Sequence, residues 1–211
     1  MNFIRNRNFR AGPQTSLEGF ICPQNSDKKQ KIKVFGRSGG GGGKWLVDYN
    51  HYKRLRNCSF LKLFIVYPEF RYQFFYRLRL HSPILRILLK PLQFINPLNL
   101  YINCSDIDEG LFIEHGFSTI IACKHIGRNC WINQQVTIGF SDKTHSPYIG
   151  DNVGIKAGAK VIGGVTIGDD VIIGANAVVV KDVPSHSIVA GVPARVIKTR
   201  NCISEEWVNV K

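Results

Sequence analysis

The fold is decided by residues 149–184, which read IGDNVGIKAGAKVIGGVTIGDDVIIGANAVVVKDVP. Each hexad of this stretch opens on a β-branched aliphatic residue: Ile149, Ile155, Val161, Ile167, Ile173 and Val179. The fifth place of each hexad is small or β-branched: Val153, Ala159, Val165, Val171, Ala177 and Val183. A six-residue period fits neither a helix nor the alternation of a single strand. It predicts a parallel β-helix in which each hexad forms one side of a triangular coil.

The same frame extends upstream of this stretch and contains one interruption. It continues through Ile120, Ile126, Ile132 and Ile138. The next leading residue, Ile149, follows after eleven residues, so five residues are inserted into one coil. His145 lies on this insertion, and functional residues concentrate on such loops. Glycines follow several of the leading aliphatics, and we expect them to turn the corners of the coil with positive φ: Gly127, Gly139, Gly150, Gly168 and Gly174.

The positive charge of the chain is confined to its N-terminal half. Of the net charge of +13, residues 1–99 contribute 18 Lys and Arg against 4 Asp and Glu, whereas residues 100–211 contribute 10 against 11. The basic half contains no helix-turn-helix, ribonucleoprotein or zinc-finger signature, so nucleic acid is not an expected partner. The charge instead favours a solvated basic surface, or a face that meets an anionic membrane or glycan.

Composition divides the chain into four segments. Residues 1–43 are basic, lack an apolar period and end in five glycines, as expected of a flexible tail. Residues 44–99 combine basic and aromatic residues at helical spacing and predict a small helical cap. Residues 100–200 form the predicted β-helix, and residues 201–211 a C-terminal tail.

Cysteine usage and the start of the chain bear on its compartment. The six cysteines contain no C-x-x-C pair, which speaks against zinc ribbons and thioredoxin-like motifs. No signal peptide and no uninterrupted apolar stretch long enough for a membrane span is evident. We therefore expect a cytoplasmic protein, with contact to a membrane surface through residues 44–99 as a further alternative.

Five stretches carry a resemblance to a known family. Residues 167–178, IGDDVIIGANAV, with DVP at 182–184 and AGVPARV at 190–196, resemble the left-handed β-helix acyltransferases built of hexapeptide repeats. FIEHG at 112–116 and THSPYIG at 144–150 narrow the resemblance to the serine acetyltransferase-like branch, which includes capsule and lipopolysaccharide O-acetyltransferases. The resemblance covers residues 104–198. It implies an all-β, left-handed parallel β-helix with a short α-helical N-terminal extension, forming a homotrimer that binds acetyl-CoA between neighbouring β-helices and needs no metal.

The resemblance also implies catalytic residues. His115 falls on the family's catalytic histidine, and His145 on its second active-site histidine. Glu114 supplies a carboxylate next to His115. Histidine suits general base chemistry near neutral pH. His115 is therefore expected to take the proton of an acceptor hydroxyl, while backbone N–H groups and His145 stabilise the oxyanion.

Residues of an acetyl-CoA channel follow from the same resemblance. Small residues are implied to line the pantetheine arm, a glycine to lie beside the thioester, and two basic residues to lie near the phosphates. In that order they are Ala157 and Ala175, Gly139, and Arg195 and Lys198.

Departures from the serine acetyltransferase pattern bear on the acceptor. The family aspartate that orients the catalytic histidine aligns near residues 100–102, where no carboxylate occurs. The arginine before the loop histidine is replaced by Thr144, and the large helical domain by residues 44–99. We therefore expect a sugar hydroxyl of a capsule or lipopolysaccharide precursor as the acceptor, with L-serine, and hence cysteine biosynthesis, as the alternative.

Two readings outside acyl transfer stay open. Some β-helix trimers are zinc enzymes, and His115, His125 and His145 are the histidines that such a site would use. A non-catalytic scaffold is the other. We expect His125, which precedes Ile126 and Gly127 in the repeat, to face solvent without a catalytic role, and His186, in the turn after the last complete hexad, to be structural.

Overall fold

The computed structural model describes residues 43–79, 84, 87–88, 99–104, 106–142 and 144–210. The predictions made for residues 1–42, and for most of residues 80–98, lie outside the described residues. Among the described residues, three helices have defined bounds, α1 Lys44–Arg56, α2 Phe60–Val66 and α3 Pro68–Arg79. Ile84, Ile87 and Leu88 are helical as well.

Fifteen short strands follow the helices. In chain order they are β1 Tyr101–Asn103, β2 Phe112–Ile113, β3 Ile120–Ala122, β4 His125–Ile126, β5 Trp131–Ile132, β6 Thr137–Gly139, β7 Tyr148–Ile149, β8 Gly154–Ile155, β9 Lys160–Ile162, β10 Thr166–Ile167, β11 Ile172–Ile173, β12 Val178–Val179, β13 Ser187–Ala190, β14 Arg195–Thr199 and β15 Val208–Asn209.

The strands form the three sides of a left-handed parallel β-helix, as the sequence predicts. Sheet A has the order β1-β3-β6-β9-β12, and sheet B the order β4-β7-β10. Sheet C runs β2-β5-β8-β11-β13 and ends in β14 and β15, which pair antiparallel. Single bridges from Ile107 to Ile126 and from Ile167 to Val183 extend sheet B at both ends, so the chain makes five coils.

The core consists of the leading aliphatics stacked on one another. Ile149 pairs with Ile167, and Ile155 with Ile173, each three hexads further along the chain. All six leading residues of the diagnostic stretch are at most 2% exposed. Burying each isoleucine or valine contributes about 1.5–3 kcal/mol. The hexad period therefore reports the stacking register directly, and the predicted β-helix is confirmed.

The predicted frame is wrong by one residue at its upstream end. Ile121 is fully buried and pairs with Ile138, whereas Ile120 is 43% exposed on the outer face of sheet A. The side of the coil from Ile121 to Ile126 is one residue shorter than a hexad. Stacking on the coil above decides which residue faces the core, so the strict period gives way.

The glycines after the leading aliphatics allow close contact between coils, which corrects the expectation of positive φ. A Cβ on Gly127 would lie 2.5 Å from the carbonyl carbon of Gly150, and a Cβ on Gly168 would lie 2.5 Å from the backbone nitrogen of Ser185. The left-handed positions at these corners belong to residues such as Asn152, with φ 56°. Asparagine tolerates that region better than most side chains.

The helical cap supplies hydrogen-bond partners to the first coil of the β-helix. Asp48 of α1 accepts the backbone N–H groups of Gly110 at 2.7 Å and Leu111 at 3.1 Å. Arg77 of α3 donates its Nε–H to Asp48 at 2.8 Å, and both side chains of this ion pair are 3% exposed. The Tyr52 hydroxyl donates to the Ile113 carbonyl and accepts from the Ile113 N–H. Buried backbone groups at the end of the β-helix are thereby paired.

One face of the cap is apolar and exposed. Leu61, Ile65 and Val66 on α2 are 54–66% exposed, and the exposed Lys62 lies among them. Within the part of the chain that the structure describes, no helix has the length and apolar character that a bilayer crossing requires.

We expect Arg77→Met to lower the free energy of unfolding by about 3–5 kcal/mol, because it leaves the Asp48 carboxylate buried without its cation. Urea unfolding followed by circular dichroism measures the loss. Arg71→Met is the matched control on the same helix: Arg71 is half-buried and donates to the carbonyls of Phe64 and Ile65, so we expect a loss of about 1 kcal/mol. Equal losses in the two variants would contradict the structural role assigned to the buried pair.

Candidate active site

His115 lies at a sharp turn on the edge where sheet C passes into sheet A, which we call the C/A edge. Its φ is 64°, and Gly116 and Ser118 also have positive φ. The same left-handed backbone occurs at Gln135 and Asn176 on this edge, so it belongs to the corner that turns the chain from sheet C into sheet A. The His115 side chain is exposed, and within the described residues its imidazole makes no hydrogen bond. The His115 side chain therefore lies on an exposed part of this edge.

A buried carboxylate, Glu69, lies beneath this turn. Glu69 belongs to the first turn of α3 and is 4% exposed. A Cβ on Gly116 would lie 3.2 Å from the Cβ of Glu69, so a glycine at 116 allows the helix to approach the turn. Burial raises the pKa of Glu69, while the hydrogen bond from its own backbone N–H, the positive charges of Arg56 and His115, and the hydrogen bond from the His115 backbone N–H act in the opposite direction. The cap thus supports the backbone that carries His115.

Sequence reasoning missed Glu69, although one signal pointed to it. Asp48 and Glu69 are the only acidic residues between positions 44 and 99. Charged residues are almost never fully buried unless they are paired. Two acids in a strongly basic segment are therefore candidates for buried, partnered positions, and the structure buries both.

Side chains of the same chain hold the Glu114 carboxylate in place. Its carboxylate accepts from Trp131 Nε1 at 3.1 Å and from Asn133 Nδ2 at 3.2 Å, and it lies 3.4 Å from an Arg56 guanidinium nitrogen. Within the described residues no hydrogen bond joins Glu114 to His115. The carboxylate next to His115 in the sequence therefore anchors the cap to sheet C, and a catalytic role for it stays a prediction.

The insertion forms a loop between β6 and β7, on the edge where sheet A passes into sheet B (the A/B edge). Asp142 organises the described part of this loop. One carboxylate oxygen accepts from the backbone N–H of Thr144 at 2.8 Å and of His145 at 2.9 Å, and from the Thr144 hydroxyl at 2.9 Å. The other lies 2.7 Å from His145 Nδ1. These bonds hold the pKa of Asp142 well below its usual range, the backbone N–H groups contributing most.

The His145 side chain is exposed to solvent, and its ring contacts the neighbouring coil. Its side chain is 65% exposed. A Cβ on Gly164, in the next coil, would lie 3.3 Å from the Cβ and Cδ2 of His145, so the imidazole rests on that glycine. Asp142 and Gly164 are contacts that sequence reasoning missed, because both depend on the conformation of the inserted loop.

The structure does not bring His115 and His145 together within one chain. His115 stands on the C/A edge and His145 on the A/B edge, with sheet A between them. Two edges that flank the same sheet meet only when another β-helix packs alongside. Any site that uses both histidines therefore needs a second chain.

The predicted acetyl-CoA residues divide between the same two edges. Ala157 and Ala175 stack on the C/A edge in the coils beyond His115, with the Asn176 N–H donating to the Ala157 carbonyl at 2.9 Å. Gly139 ends β6, where the inserted loop of the A/B edge begins. Gln134 holds the equivalent position in the coil between His115 and Ala157, so the small side chains on this edge begin two coils beyond His115.

Two basic residues stand at that end. Arg195 and Lys198 belong to β14, which pairs antiparallel with β13. Arg195 is exposed, and Lys198 is half-buried. Residues 201–210, predicted as a tail, include β15, which adds to the same sheet.

Carboxylates contact the two other described histidines of the β-helix, and the expectation that His125 faces solvent is wrong, since its side chain is 14% exposed. His125 Nδ1 lies 2.7 Å from Asp106 Oδ2, and its ring stacks on Tyr148 with centroids 4.5 Å apart. His186 Nδ1 lies 2.8 Å from Asp170 Oδ2. Across the described residues no three metal-ligating side chains cluster. The histidines that the zinc alternative would use are dispersed: His115 lies on the C/A edge, His145 on the A/B edge and His125 on sheet B.

The fold and its repeat define the class of domain. Residues 146–181 match the family described as "Bacterial transferase hexapeptide (six repeats)". The hexapeptide-repeat β-helix that the sequence predicts is therefore confirmed.

The relatives narrow the class. Over 99 residues the chain is 48% identical to a serine acetyltransferase of Staphylococcus xylosus, a match that covers 44% of this chain and 45% of that protein. A serine acetyltransferase of Synechococcus elongatus is 43% identical over 95 residues, covering 43% of this chain and 39% of that protein. The chain thus spans about half the length of the curated relatives it matches.

Solved structures agree with the sequence relatives. The soybean serine acetyltransferase apoenzyme has a TM-score of 0.63 at 25% identity, covering 74% of this chain and 68% of that one. The Neisseria gonorrhoeae serine acetyltransferase in complex with serine has a TM-score of 0.56 at 27% identity, with the same coverage. The resemblance to the serine acetyltransferase-like branch of the hexapeptide-repeat acyltransferases is confirmed.

We expect Gly164→Ala to displace the His145 ring, because the new methyl group would lie 3.3 Å from it. Proton–nitrogen correlation spectra of the imidazole side chains detect this as shifted His145 resonances. His186 serves as the internal control, and its resonances should not move. Unchanged His145 resonances would contradict the contact that the structure shows.

Proposed function

We propose that this protein is an acetyl-CoA-dependent O-acetyltransferase that works as a homotrimer. The observation that carries the proposal is the C/A edge, where His115 and Gln134 are followed in the next two coils by the small residues Ala157 and Ala175, with two basic residues beyond them. Three coil spacings of about 4.8 Å separate His115 from Ala175, or roughly 14 Å. A track of that length, lined by small side chains in its last two coils, suits an extended pantetheine arm, and Arg195 and Lys198 suit its phosphates.

His115 is the proposed general base. A hydroxyl is a poor nucleophile while it keeps its proton, so His115 takes the proton as the hydroxyl oxygen attacks the acetyl carbonyl. The carbon–sulfur bond then breaks, the electron pair goes to sulfur, and the proton passes from His115 to the departing thiolate. Backbone N–H groups near the thioester support the oxyanion. A buried carboxylate beneath the His115 turn keeps that turn in place.

A trimer is proposed because one chain holds only part of the site. The C/A edge carries His115, Ala157 and Ala175, whereas the A/B edge carries Gly139 and His145. Packing the C/A edge of one β-helix against the A/B edge of its neighbour would unite these residues in a groove between chains. Three such grooves close a ring with cyclic symmetry.

The relatives favour L-serine over the sugar hydroxyl that the sequence suggested as the acceptor. Both sequence relatives described above are named serine acetyltransferases, and the Neisseria enzyme was solved with serine bound. We therefore propose L-serine as the first acceptor to test, which would give the protein a role in cysteine biosynthesis.

A sugar hydroxyl remains the second candidate acceptor on one specific observation. Thr144 replaces the arginine that precedes the loop histidine in the serine acetyltransferase pattern. Its neutral hydroxyl donates to Asp142 within the loop, so this position supplies no cation for a substrate carboxylate. An uncharged acceptor would not need one.

Contact with a membrane surface belongs to the same proposal, because it would bring the enzyme to a lipid-linked acceptor. The exposed aliphatic face of α2 and the basic charge of the cap support it. The cytoplasmic location expected from the sequence stays a prediction.

We expect His115→Ala to lower kcat by about 10²–10⁴, the usual contribution of a general base. Release of free CoA, followed with a thiol reagent in the presence of acceptor, measures the rate. His125→Gln is the control, since His125 lies on sheet B, paired with Asp106, and should leave kcat within a few-fold of the native rate. A His115→Ala variant that keeps native kcat would show that another group is the base.

The acceptor is tested by comparing L-serine with a panel of nucleotide-linked and lipid-linked sugars under the same assay, with and without a metal chelator. We expect turnover of L-serine to exceed turnover of every sugar, and the chelator to change nothing. Faster turnover of a sugar would favour the second candidate. Loss of activity with the chelator would favour a metal enzyme, and no turnover of any acceptor a non-catalytic scaffold.

A further inference from the structure

We propose that Asp142 is a positioning residue that holds His145 as the Nδ1–H tautomer, so that Nε2 accepts a hydrogen bond from the acceptor substrate. The proposal rests on the acetyltransferase function proposed above and assigns His145 a part in it. It differs from the role expected from the sequence, in which His145 stabilises the oxyanion.

The tautomer follows from the partners of His145 Nδ1. A carboxylate can only accept hydrogen bonds. The Thr144 hydroxyl, 2.9 Å from Asp142, therefore donates its proton to the carboxylate. Its oxygen turns its lone pairs toward His145 Nδ1, 3.0 Å away. Both atoms that face Nδ1 are then acceptors, so Nδ1 carries the hydrogen.

The working atom of His145 is consequently Nε2. A neutral imidazole has one donor and one acceptor nitrogen, and here the donor is spent on Asp142. The lone pair of Nε2 faces outward on a side chain that is 65% exposed. A lone pair repels the negative oxygen of a tetrahedral intermediate and attracts an O–H or N–H group. His145 therefore suits a donor group of the acceptor substrate.

The loop is built to hold this orientation. Asp142 accepts the His145 backbone N–H at 2.9 Å, and the His145 carbonyl accepts the Ser141 N–H at 3.3 Å. Gly164 contacts the ring from the next coil. Backbone and ring are both fixed before substrate arrives, so little ordering entropy is lost on binding.

The role defines the chemical class of the acceptor. His115 takes the proton of the reacting hydroxyl, so Nε2 of His145 needs a second donor beside it. The α-ammonium group of serine and the neighbouring hydroxyl of a sugar both provide one. A simple alcohol, or 3-hydroxypropanoate in place of serine, does not. The site should therefore select acceptors with a second hydrogen-bond donor close to the reacting hydroxyl.

The tautomer is tested without any substrate. Long-range proton–nitrogen correlation spectra, recorded at a pH where the imidazole is neutral, distinguish Nδ1–H from Nε2–H in the full-length protein. We expect the Nδ1–H form for His145, and a mixture of forms in Asp142→Asn, whose amide can also donate to Nδ1. An Nε2–H form in the native protein would overturn the proposal.

Kinetics test the role separately. Asp142→Asn should raise the KM of the acceptor about tenfold, while kcat and the KM of acetyl-CoA change less than threefold. It should change the weak turnover of 3-hydroxypropanoate little, and add nothing to His145→Ala. Asp106→Asn is the matched control, since it alters the equivalent Asp–His125 pair, 2.7 Å apart on sheet B, and should leave both KM values unchanged.

The outcomes are distinguishable from those of the proposed function. A fall in kcat at constant acceptor KM, or additive effects of Asp142→Asn and His145→Ala, would refute the assigned role of His145. If the native protein transfers no acetyl group to any acceptor, the proposed function fails, and the role in binding acceptor fails with it. The spectra still decide whether Asp142 sets the tautomer.

Discussion

The register of the aliphatic stack is the constraint on which the rest of the molecule depends. Ile126 pairs with Ile149 even though the inserted residues lie between them in the chain. Shifting the stack by one residue would turn buried isoleucines toward solvent, at about 1.5–3 kcal/mol each. The extra residues are therefore expelled to the A/B edge as a loop. That loop carries Asp142 and His145, so core packing determines where these two proposed site residues project.

The same register aligns distant residues into columns. His115, Ala157 and Ala175 are separated along the chain, yet they share the C/A edge because each follows a buried residue of sheet C. Sheet A separates this edge from the A/B edge. Residues proposed to act together are thus divided between two edges of one prism, which is the geometry of a site shared by neighbouring chains.

Charged and polar side chains of the cap cover the N-terminal end of the β-helix. An open β-helix end leaves backbone groups without partners, and Asp48, Tyr52 and Arg77 pair them. The acidic residues of this basic segment are the ones drawn inside, because buried N–H groups and a buried guanidinium require acceptors. Through Glu69 the cap also contacts the turn of His115. The basic residues of the cap that stay exposed could contact an anionic surface.

Sequence alone determined the parallel β-helix and the place of its insertion, because every hexad reports the same local environment and a break in the period is visible without coordinates. His115 and His145 were predicted from the family resemblance, and their catalytic roles stay predictions. Only the tertiary structure decided that Ile121 replaces Ile120 in the core, since pairing with the neighbouring coil outweighs the strict period. It also decided that Glu114 belongs to the cap interface, and that Asp142 orients His145. These choices depend on contacts between residues far apart in the chain, or on the shape of an expelled loop, and no periodicity encodes either.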